Sequence, residues 1–198
     1  SEWKQRFSDW VRVPEPQALL NASIFFDLRP LFGDVDLGES LRSQLLSLTK
    51  DATAFLHLMA ANALQAQAPL NFRGEVVAAG GVSGNQIDLK KFGSRIFVDA
   101  ARIFALASGV RSVNTSTRLG DSAPSAGFHA QELVAVDAAF SHILRLRLSH
   151  QLAAGPAAVE AGQGIPLDSL NDFDKAILKE ALRQARRLQQ RLKLKYGL

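Results

Sequence analysis

The stretch LRSQLLSLTKDATAFLHLMAANA, residues 41–63, decides the fold of this chain. Its apolar side chains recur every three or four positions, a spacing that places them on one face of an α-helix. They are Leu41, Leu45, Leu48, Ala52, Phe55, Met59 and Ala63. No segment shows a sustained alternation of apolar and polar residues, the pattern of a half-buried strand. The stretch therefore predicts one long amphipathic helix that ends before Pro69.

The same periodicity extends outward from this segment in both directions. It predicts long helices over about 88–109, 129–154 and 170–196, a buried helix over about 17–31 and a lead-in helix over 2–13. Helix content of roughly 60–70% follows, well above the usual third. We expect an all-α fold, an antiparallel bundle of four long helices plus short extra helices.

Composition limits the class of protein. The 198 residues are 47% hydrophobic, carry a formal net charge of +4 and include no cysteine. A disulfide framework and thiolate metal sites are therefore excluded. With no signal peptide or membrane-length apolar run, we expect a cytoplasmic protein. The only methionine is Met59, so the sequence does not begin with an initiator methionine. We therefore interpret 1–13 as a lead-in from a missing upstream domain and 14–198 as one helical domain.

Two Asp-x-Asp pairs have the spacing that metal-dependent phosphoryl chemistry uses. They are Asp34-Val-Asp36 and Asp172-Phe-Asp174. Neither follows a Gly-Ser loop that could hold phosphate, and the four histidines show no zinc-ligand spacing. Turn and N-cap chemistry is the better explanation of both pairs.

Charges inside apolar helices are more informative. Asp99 and Arg102 stand three residues apart on one face, so they either pair or face a cleft. Asp27 and Arg29 would point about 200° apart on a continuous helix and so cannot pair. We expect Arg102 to be the partner of Asp27, and Arg29 to reach a boundary with another element.

Two further groups of basic residues admit functional alternatives. Arg145 and His150 match the Arg-x4-His pattern of HEPN-type ribonucleases, but an unbroken helix sets them about 140° apart. The last helix carries eight basic residues from Lys175 to Lys195. No aromatic stacking pattern accompanies them, which favours a solvated face over a nucleic-acid surface.

The run PQALLNASIFFDLRPL, residues 16–31, resembles the opening of the nucleotidyltransferase substrate-binding domain of bacterial signalling proteins. Shorter blocks of residues later in the chain resemble the same family in the same order. The resemblance extends over nearly the whole chain from Trp10. The blocks are Pro69-Leu70, Ile87 to Lys90, Ala101 to Ile103, Thr117 to Leu119, Arg145 to Arg147, His150-Gln151 and Leu178-Lys179.

The resemblance implies a multidomain context. Members carry a cyclic-nucleotide-binding or CBS sensor, then a catalytic nucleotidyltransferase domain, then this helical domain, which is similar to the C-terminal bundle of kanamycin nucleotidyltransferase. The catalytic carboxylates, Mg²⁺ and the nucleoside triphosphate would then belong to the absent catalytic domain.

We therefore expect a non-catalytic substrate-binding and regulatory domain that completes the cleft of a catalytic domain in the same polypeptide. The substrate that this domain helps to hold would be a protein acceptor or a nucleotide. The candidate residues for substrate binding or the domain interface are Asp27, Arg29, Lys90, Arg102, Arg118 and His150. The alternatives are a ribonuclease that uses Arg145 and His150, and a structural module that forms a homodimer.

Overall fold

The computed structural model describes residues 2–15, 19, 23, 25–79, 85–160 and 164–198, with the backbone alone for 156–160. In these ranges the α-helices are α1 Glu2–Arg12, α2 Val35–Lys50, α3 Thr53–Ala63, α4 Arg95–Ser108, α5 Thr115–Ala126, α6 Ala130–Glu160 and α7 Asp172–Tyr196. A π-helical turn spans Lys90–Ser94 and a 3₁₀ turn spans Leu167–Ser169.

Strand structure is confined, in the described ranges, to one short ribbon and two isolated bridges. Strand β1, Gln86–Ile87, pairs antiparallel with β2, Ile165–Pro166, so that Gln86 lies opposite Pro166. The structure is 71% helical. The predicted all-α bundle is therefore confirmed.

The backbone divides into two compact units. The first comprises Ser1–Ala63, Ala100–Phe128 and Tyr196–Leu198, and the second comprises Leu64–Asp99 and His129–Lys195.

Aromatic contacts lie at the centre of the first unit. Phe26 packs edge-on against Phe55 with ring centroids 5.6 Å apart, and Phe104 packs against Phe128 at 5.5 Å. On α1, Phe7 is 1% exposed. Such edge-to-face pairs add stability beyond the area they bury. Each pair packs within one segment of the unit, the first within Ser1–Ala63 and the second within Ala100–Phe128.

The core of the second unit forms around α7. Its buried stripe runs at helical spacing through Leu178, Leu182, Ala185, Leu188 and Leu192. A further contact joins Phe97 to Phe140 at 5.6 Å.

The π-helical turn packs closely against α6 in this unit. A Cβ added at Gly93 would lie 3.2 Å from the Cγ2 atom of Ile143, so a larger residue there would crowd the contact. The side chain of Asp88 accepts hydrogen bonds from the main-chain N–H groups of Lys90 and Lys91 and so fixes the start of the turn.

Three predicted boundaries were wrong. The helix over 41–63 is two helices, because α2 ends at Lys50 and α3 begins at Thr53. Near this break the hydroxyl of Thr49 donates to the carbonyls of Leu45 and Leu46, a contact that bends helices. Part of the helix predicted over 17–31 lies outside the described residues; of the described ones, Leu19, Ser23 and Phe25 are helical, Phe26 and Asp27 form a turn, and 28–31 are not helical.

The third correction concerns 115–127. The sequence predicts a turn or a short helix over 115–120 and a loop over 122–127. The structure instead has one helix, α5, which passes through Pro124 and ends at Gly127 in the left-handed region (φ 71°). Asn114 caps its start by accepting a hydrogen bond from the N–H of Thr117 at 3.0 Å. A cap at one end and a glycine at the other define this helix.

Candidate functional site

Asp27 lies at the centre of a charged cluster in the first unit. Its two carboxylate oxygens accept hydrogen bonds from Arg102 at 2.7 Å and Arg118 at 2.6 Å. Arg118 also donates to the carbonyls of Phe26 at 3.1 Å and Ser112 at 2.7 Å, and its side chain is 5% exposed. We call Asp27, Arg102 and Arg118 the Asp27 cluster. It holds the turn at 26–27 against α4 and α5.

The two arginines also set the charge of Asp27. Burial alone would raise the pKa of this carboxyl group, but hydrogen bonds and positive charge from Arg102 and Arg118 outweigh burial, so the pKa of Asp27 is lowered. Burial lowers the pKa of the Arg118 guanidinium, and the charge of Asp27 opposes that change. The cluster is therefore an ion-paired group at neutral pH.

Acid should weaken this cluster. Because the pKa of Asp27 is lower in the folded chain, its contribution to stability is present above the unfolded pKa, about 3.9, and is lost as the pH falls through the folded pKa. We expect Asp27→Asn to lower the melting temperature at pH 6 and to have a smaller effect below about pH 3. Melting curves of both proteins between pH 6 and 2 measure this, and a gap that does not change with pH would contradict it.

The other charged residues that the sequence analysis singled out are Arg102, Asp99 and Arg29, and each has a different environment. Arg102 pairs with Asp27, as expected. Asp99 pairs with Arg95, one turn earlier on α4, at 3.1 Å. Arg29 is exposed, and since residues 28–31 are not helical, the 200° argument does not describe its direction. The sequence thus identified the partner of Asp27 correctly. The helix that it predicted over 17–31, however, ends before Phe26.

A cleft of about 510 Å³ lies in the second unit, between α6, the segment 165–170 and the first turn of α7. Leucine, isoleucine, proline and alanine side chains form much of its wall. Its polar side chains are Arg145, Ser149, His150, Ser169 and Asp174. A mostly apolar cavity of this size with a few converging polar groups is the usual form of a small-molecule site.

Arg145 is held at the rim of this cleft by two neighbours. Its guanidinium donates to Nδ1 of His142 at 3.0 Å and lies 3.7 Å from the carboxylate of Asp174. A guanidinium cannot accept a hydrogen bond, so Nδ1 is unprotonated and Nε2 carries the proton of His142. Burial, together with the charge of Arg145, lowers the pKa of His142. His142 is therefore a neutral support for Arg145.

Arg145 and His150 face the same cleft although α6 is continuous between them. The first non-helical dihedral angles in α6 are at Gly155 (φ 72°, ψ 178°). The residues of α6 that line the cleft cover a wide arc around the helix axis. Leu146 and Ala153 lie in the middle of this arc. At 100° per residue, Arg145 and His150 lie at opposite sides of this arc. The two side chains therefore line one cleft without a break in the helix between them.

Comparison with known proteins provides a family. Residues 53–196 match the family model described as "Putative nucleotidyltransferase substrate binding domain". The chain belongs to this family. The match begins at Thr53, so the 16–31 run lies outside it, whereas the later blocks from Pro69-Leu70 to Leu178-Lys179 lie within it. No curated protein and no solved structure matches the chain.

The whole cleft lies in the part of the chain that matches the nucleotidyltransferase substrate-binding family. His150 is the one predicted site residue that lines it. Lys90 is exposed at the start of the π-helical turn, and Ser94 at its end accepts a hydrogen bond from Arg147 at 2.8 Å. The structure therefore does not bring the six predicted residues to one place: three form the Asp27 cluster and His150 lies in the cleft.

The first Asp-x-Asp pair has the predicted capping role, whereas at the second the capping residue is Asn171. Asp34 caps α2 by accepting from the N–H groups of Asp36 and Leu37. At the start of α7, Asn171 accepts from the N–H of Asp174 at 2.8 Å and donates to its carboxylate. The described residues of this substrate-binding domain include no group of three or more acidic, histidine or cysteine side chains placed to hold a metal ion.

Much of the basic face of α7 is used inside the domain. Lys179 pairs with Glu75, Arg191 binds both carboxylate oxygens of Glu132, and Arg186 donates to the carbonyl of Leu70. These contacts join α7 to the rest of the second unit, so several basic residues of the face that the sequence predicted to be solvated are instead bound within the domain. In the described ranges, the helices are all too short or too polar to cross a bilayer.

Sequence reasoning missed three residues beside the Asp27 cluster. Glu39 and Arg42 lie on α2, and Arg111 follows α4. Arg111 and Arg42 both pair with Glu39, and Arg42 also donates to the carbonyl of Arg111. Glu39 and Arg42 are three residues apart, which predicts a local pair. Their link to Arg111, 69 residues beyond Arg42, depends on the tertiary fold.

Proposed function

We propose that this domain holds the substrate of a nucleotidyltransferase in the cleft beside His150. A catalytic domain in the same polypeptide supplies the reacting carboxylates, with Mg²⁺ and the nucleoside triphosphate bound there. The observation that carries the proposal is the 510 Å³ cleft within the matched segment. The cleft offers Arg145 and His150 as donors to an acceptor or nucleotide, beside apolar side chains such as Leu146 and Ile165.

On this proposal the exposed charges contact the catalytic domain. Arg29 and Lys90 are both exposed, and a guanidinium or ammonium group at such a boundary can meet a carboxylate of the partner. Substrate binding would then couple to the catalytic domain through the matched helical segment, which gives the domain a regulatory role. The site is cytoplasmic on this interpretation.

The first test uses the full-length protein. We expect His150→Ala to raise the KM for the acceptor about tenfold with little change in kcat, because one hydrogen bond to substrate contributes about 1.4 kcal/mol in both ground and transition states. Label transfer from nucleoside triphosphate at varied acceptor concentration measures both constants.

His129→Ala is the matched control, because His129 is exposed at the start of α6 and does not line the cleft. It should leave both constants unchanged. The isolated 198-residue chain should transfer no label. Equal KM values for the two variants would overturn the placement of the substrate in the cleft.

A second candidate function is RNA cleavage, because Arg145 and His150 line one cleft. Two basic side chains that face one substrate could bind a phosphodiester and transfer a proton. Incubation of the purified chain with labelled RNA in a chelator tests this. Cleavage that is lost in His150→Ala and kept in His129→Ala would favour a ribonuclease, and intact RNA would exclude it.

A further inference from the structure

His142 is a buried titratable residue beside the cleft. It lies on α6 three residues before Arg145, so the two side chains share one face of the helix. His142 is 7% exposed, and its Nδ1 atom accepts a hydrogen bond from Arg145 at 3.0 Å. Its Nε2 atom is buried and has no hydrogen-bond partner among the described residues. The contact with Arg145 is possible only while the imidazole is neutral, because a protonated Nδ1 is a donor.

The direction of the Arg145 side chain depends on this contact. The side chain is 62% exposed, so packing restrains it little. Its guanidinium lies 3.7 Å from the carboxylate of Asp174, beyond the roughly 2.7–2.9 Å of a charge-assisted hydrogen bond. Within the part of the chain that the structure describes, the guanidinium donates its hydrogen bond to His142. His142 therefore fixes where Arg145 lies at the rim of the cleft.

Protonation of His142 removes this acceptor. The added proton occupies Nδ1, so an N–H of the imidazole then points at an N–H of the guanidinium, and two positive charges lie where the atoms are now 3.0 Å apart. A guanidinium remains charged at every relevant pH, so Arg145 cannot relieve the repulsion by losing its own proton. Since more than half of its side chain already contacts solvent, Arg145 can turn away into water.

The surroundings of His142 keep it neutral at pH 7. Burial lowers the pKa of its imidazole most, and the charge of Arg145 on the same helix lowers it further. The carboxylate and main chain of Asp174, on α7, act in the opposite direction without outweighing them. Protonation therefore takes place below the ordinary histidine value of about 6.5. The change from one state to the other falls in acid solution.

We propose that His142 positions Arg145 for the substrate at neutral pH and releases it on protonation, which makes the cleft sensitive to acid. A guanidinium that is already held in place loses less conformational freedom when it binds a ligand. Histidine is the side chain whose charge most readily changes near neutral pH. The benefit to the substrate rests on the proposed placement of the substrate in the cleft, whereas the release is a property of the chain without ligand.

The release can be measured by NMR of the ¹⁵N-labelled 198-residue chain between about pH 8 and pH 5. At the upper end, the guanidinium signals of Arg145 should be resolved from those of the solvated arginines, because a hydrogen-bonded guanidinium rotates slowly. They should collapse to the averaged position on acidification, with the same midpoint as the imidazole signals of His142. Arg145→Gln assigns the signals, since it removes them.

Three variants separate this role from a purely structural one. His142→Gln offers an amide oxygen that accepts from Arg145 without titrating, so the resolved signals should persist over the whole pH range. His142→Leu has no acceptor and should lose them at every pH. His150→Gln is the control, because it removes the other histidine of the cleft and should keep the wild-type profile.

Arg145 signals that do not change with pH in the wild type would overturn the proposal. An equal change in the wild type and in His142→Gln would overturn it as well, even if His142→Leu failed to fold. Release in the wild type, together with equal KM values for His150→Ala and His129→Ala in the full-length protein, would instead overturn only the placement of the substrate in the cleft.

Discussion

Replacing Arg118 by alanine is expected to lower the melting temperature of the chain by roughly 6–12 °C. Arg118 donates three hydrogen bonds, to Asp27, to the carbonyl of Phe26 and to the carbonyl of Ser112. Removal of one partner of a buried ion pair destabilises by about 3–5 kcal/mol. We expect about 3 kcal/mol, because Asp27 is 40% exposed and water can reach its carboxylate. For a domain of this size each kcal/mol shifts the midpoint by about 2–4 °C.

Arg29→Ala is the control for this variant. Arg29 lies two residues from Asp27 and is exposed, and exposed substitutions usually change stability by about 0.5 kcal/mol or less. Arg118→Lys separates charge from geometry: it keeps the positive charge but cannot bind all three acceptors, so its melting temperature should fall between those of the wild type and the alanine variant. A loss in Arg29→Ala equal to that in Arg118→Ala would contradict the structural role of the Asp27 cluster.

Leu182→Ala is expected to have an effect of similar size in the second unit. Leu182 is 0% exposed on α7, and truncation of a buried leucine destabilises by about 2–5 kcal/mol, because apolar contact is lost and a cavity remains. The melting temperature should fall by roughly 5–15 °C. Thermal unfolding followed by far-ultraviolet circular dichroism measures it.

Leu194→Ala provides the comparison on the same helix. Leu194 is 85% exposed, so its truncation removes little buried surface and should shift the midpoint by about 1–2 °C at most. Both residues are leucines of α7 with similar helix propensity, and the difference between the variants therefore measures burial. Similar losses in the two variants would show that the face of α7 that packs inward has been assigned wrongly.

The phase of α7 shows how far periodicity alone can predict. From its spacing, the sequence predicts that the buried stripe of this helix consists of Leu170, Phe173, Ile177, Leu182, Ala185, Leu188 and Leu192. The last four are buried, but Phe173 is 70% exposed. The buried face also includes Gln189, whose side-chain amide accepts from the N–H of Ala68 at 3.0 Å and donates to the carbonyl of Ala66 at 2.7 Å. The period was correct, whereas Gln189 lies inside because residues 66 and 68, distant in sequence, supply its hydrogen-bond partners.

The residues of the candidate site were likewise predicted only in part from the sequence. The sequence identified Arg102 as the partner of Asp27, because an unpaired charge in an apolar element requires a partner. It did not identify Arg118 as the buried arginine that completes the cluster, nor Glu39 and Arg111. Contacts across 72 residues, such as that of Arg111 with Glu39, leave no local pattern.

The sequence by itself determined the all-α class and the family, because both depend on local spacing: apolar residues every three or four positions, and short blocks of residues in order. Only the tertiary structure decided where helices break, which side of each helix is buried and which charges meet. The cleft illustrates the reason. Arg145 and His150 are fixed 140° apart by helix geometry, but the segment 165–170 and the start of α7 enclose the arc between them, and that enclosure depends on packing between segments distant in sequence.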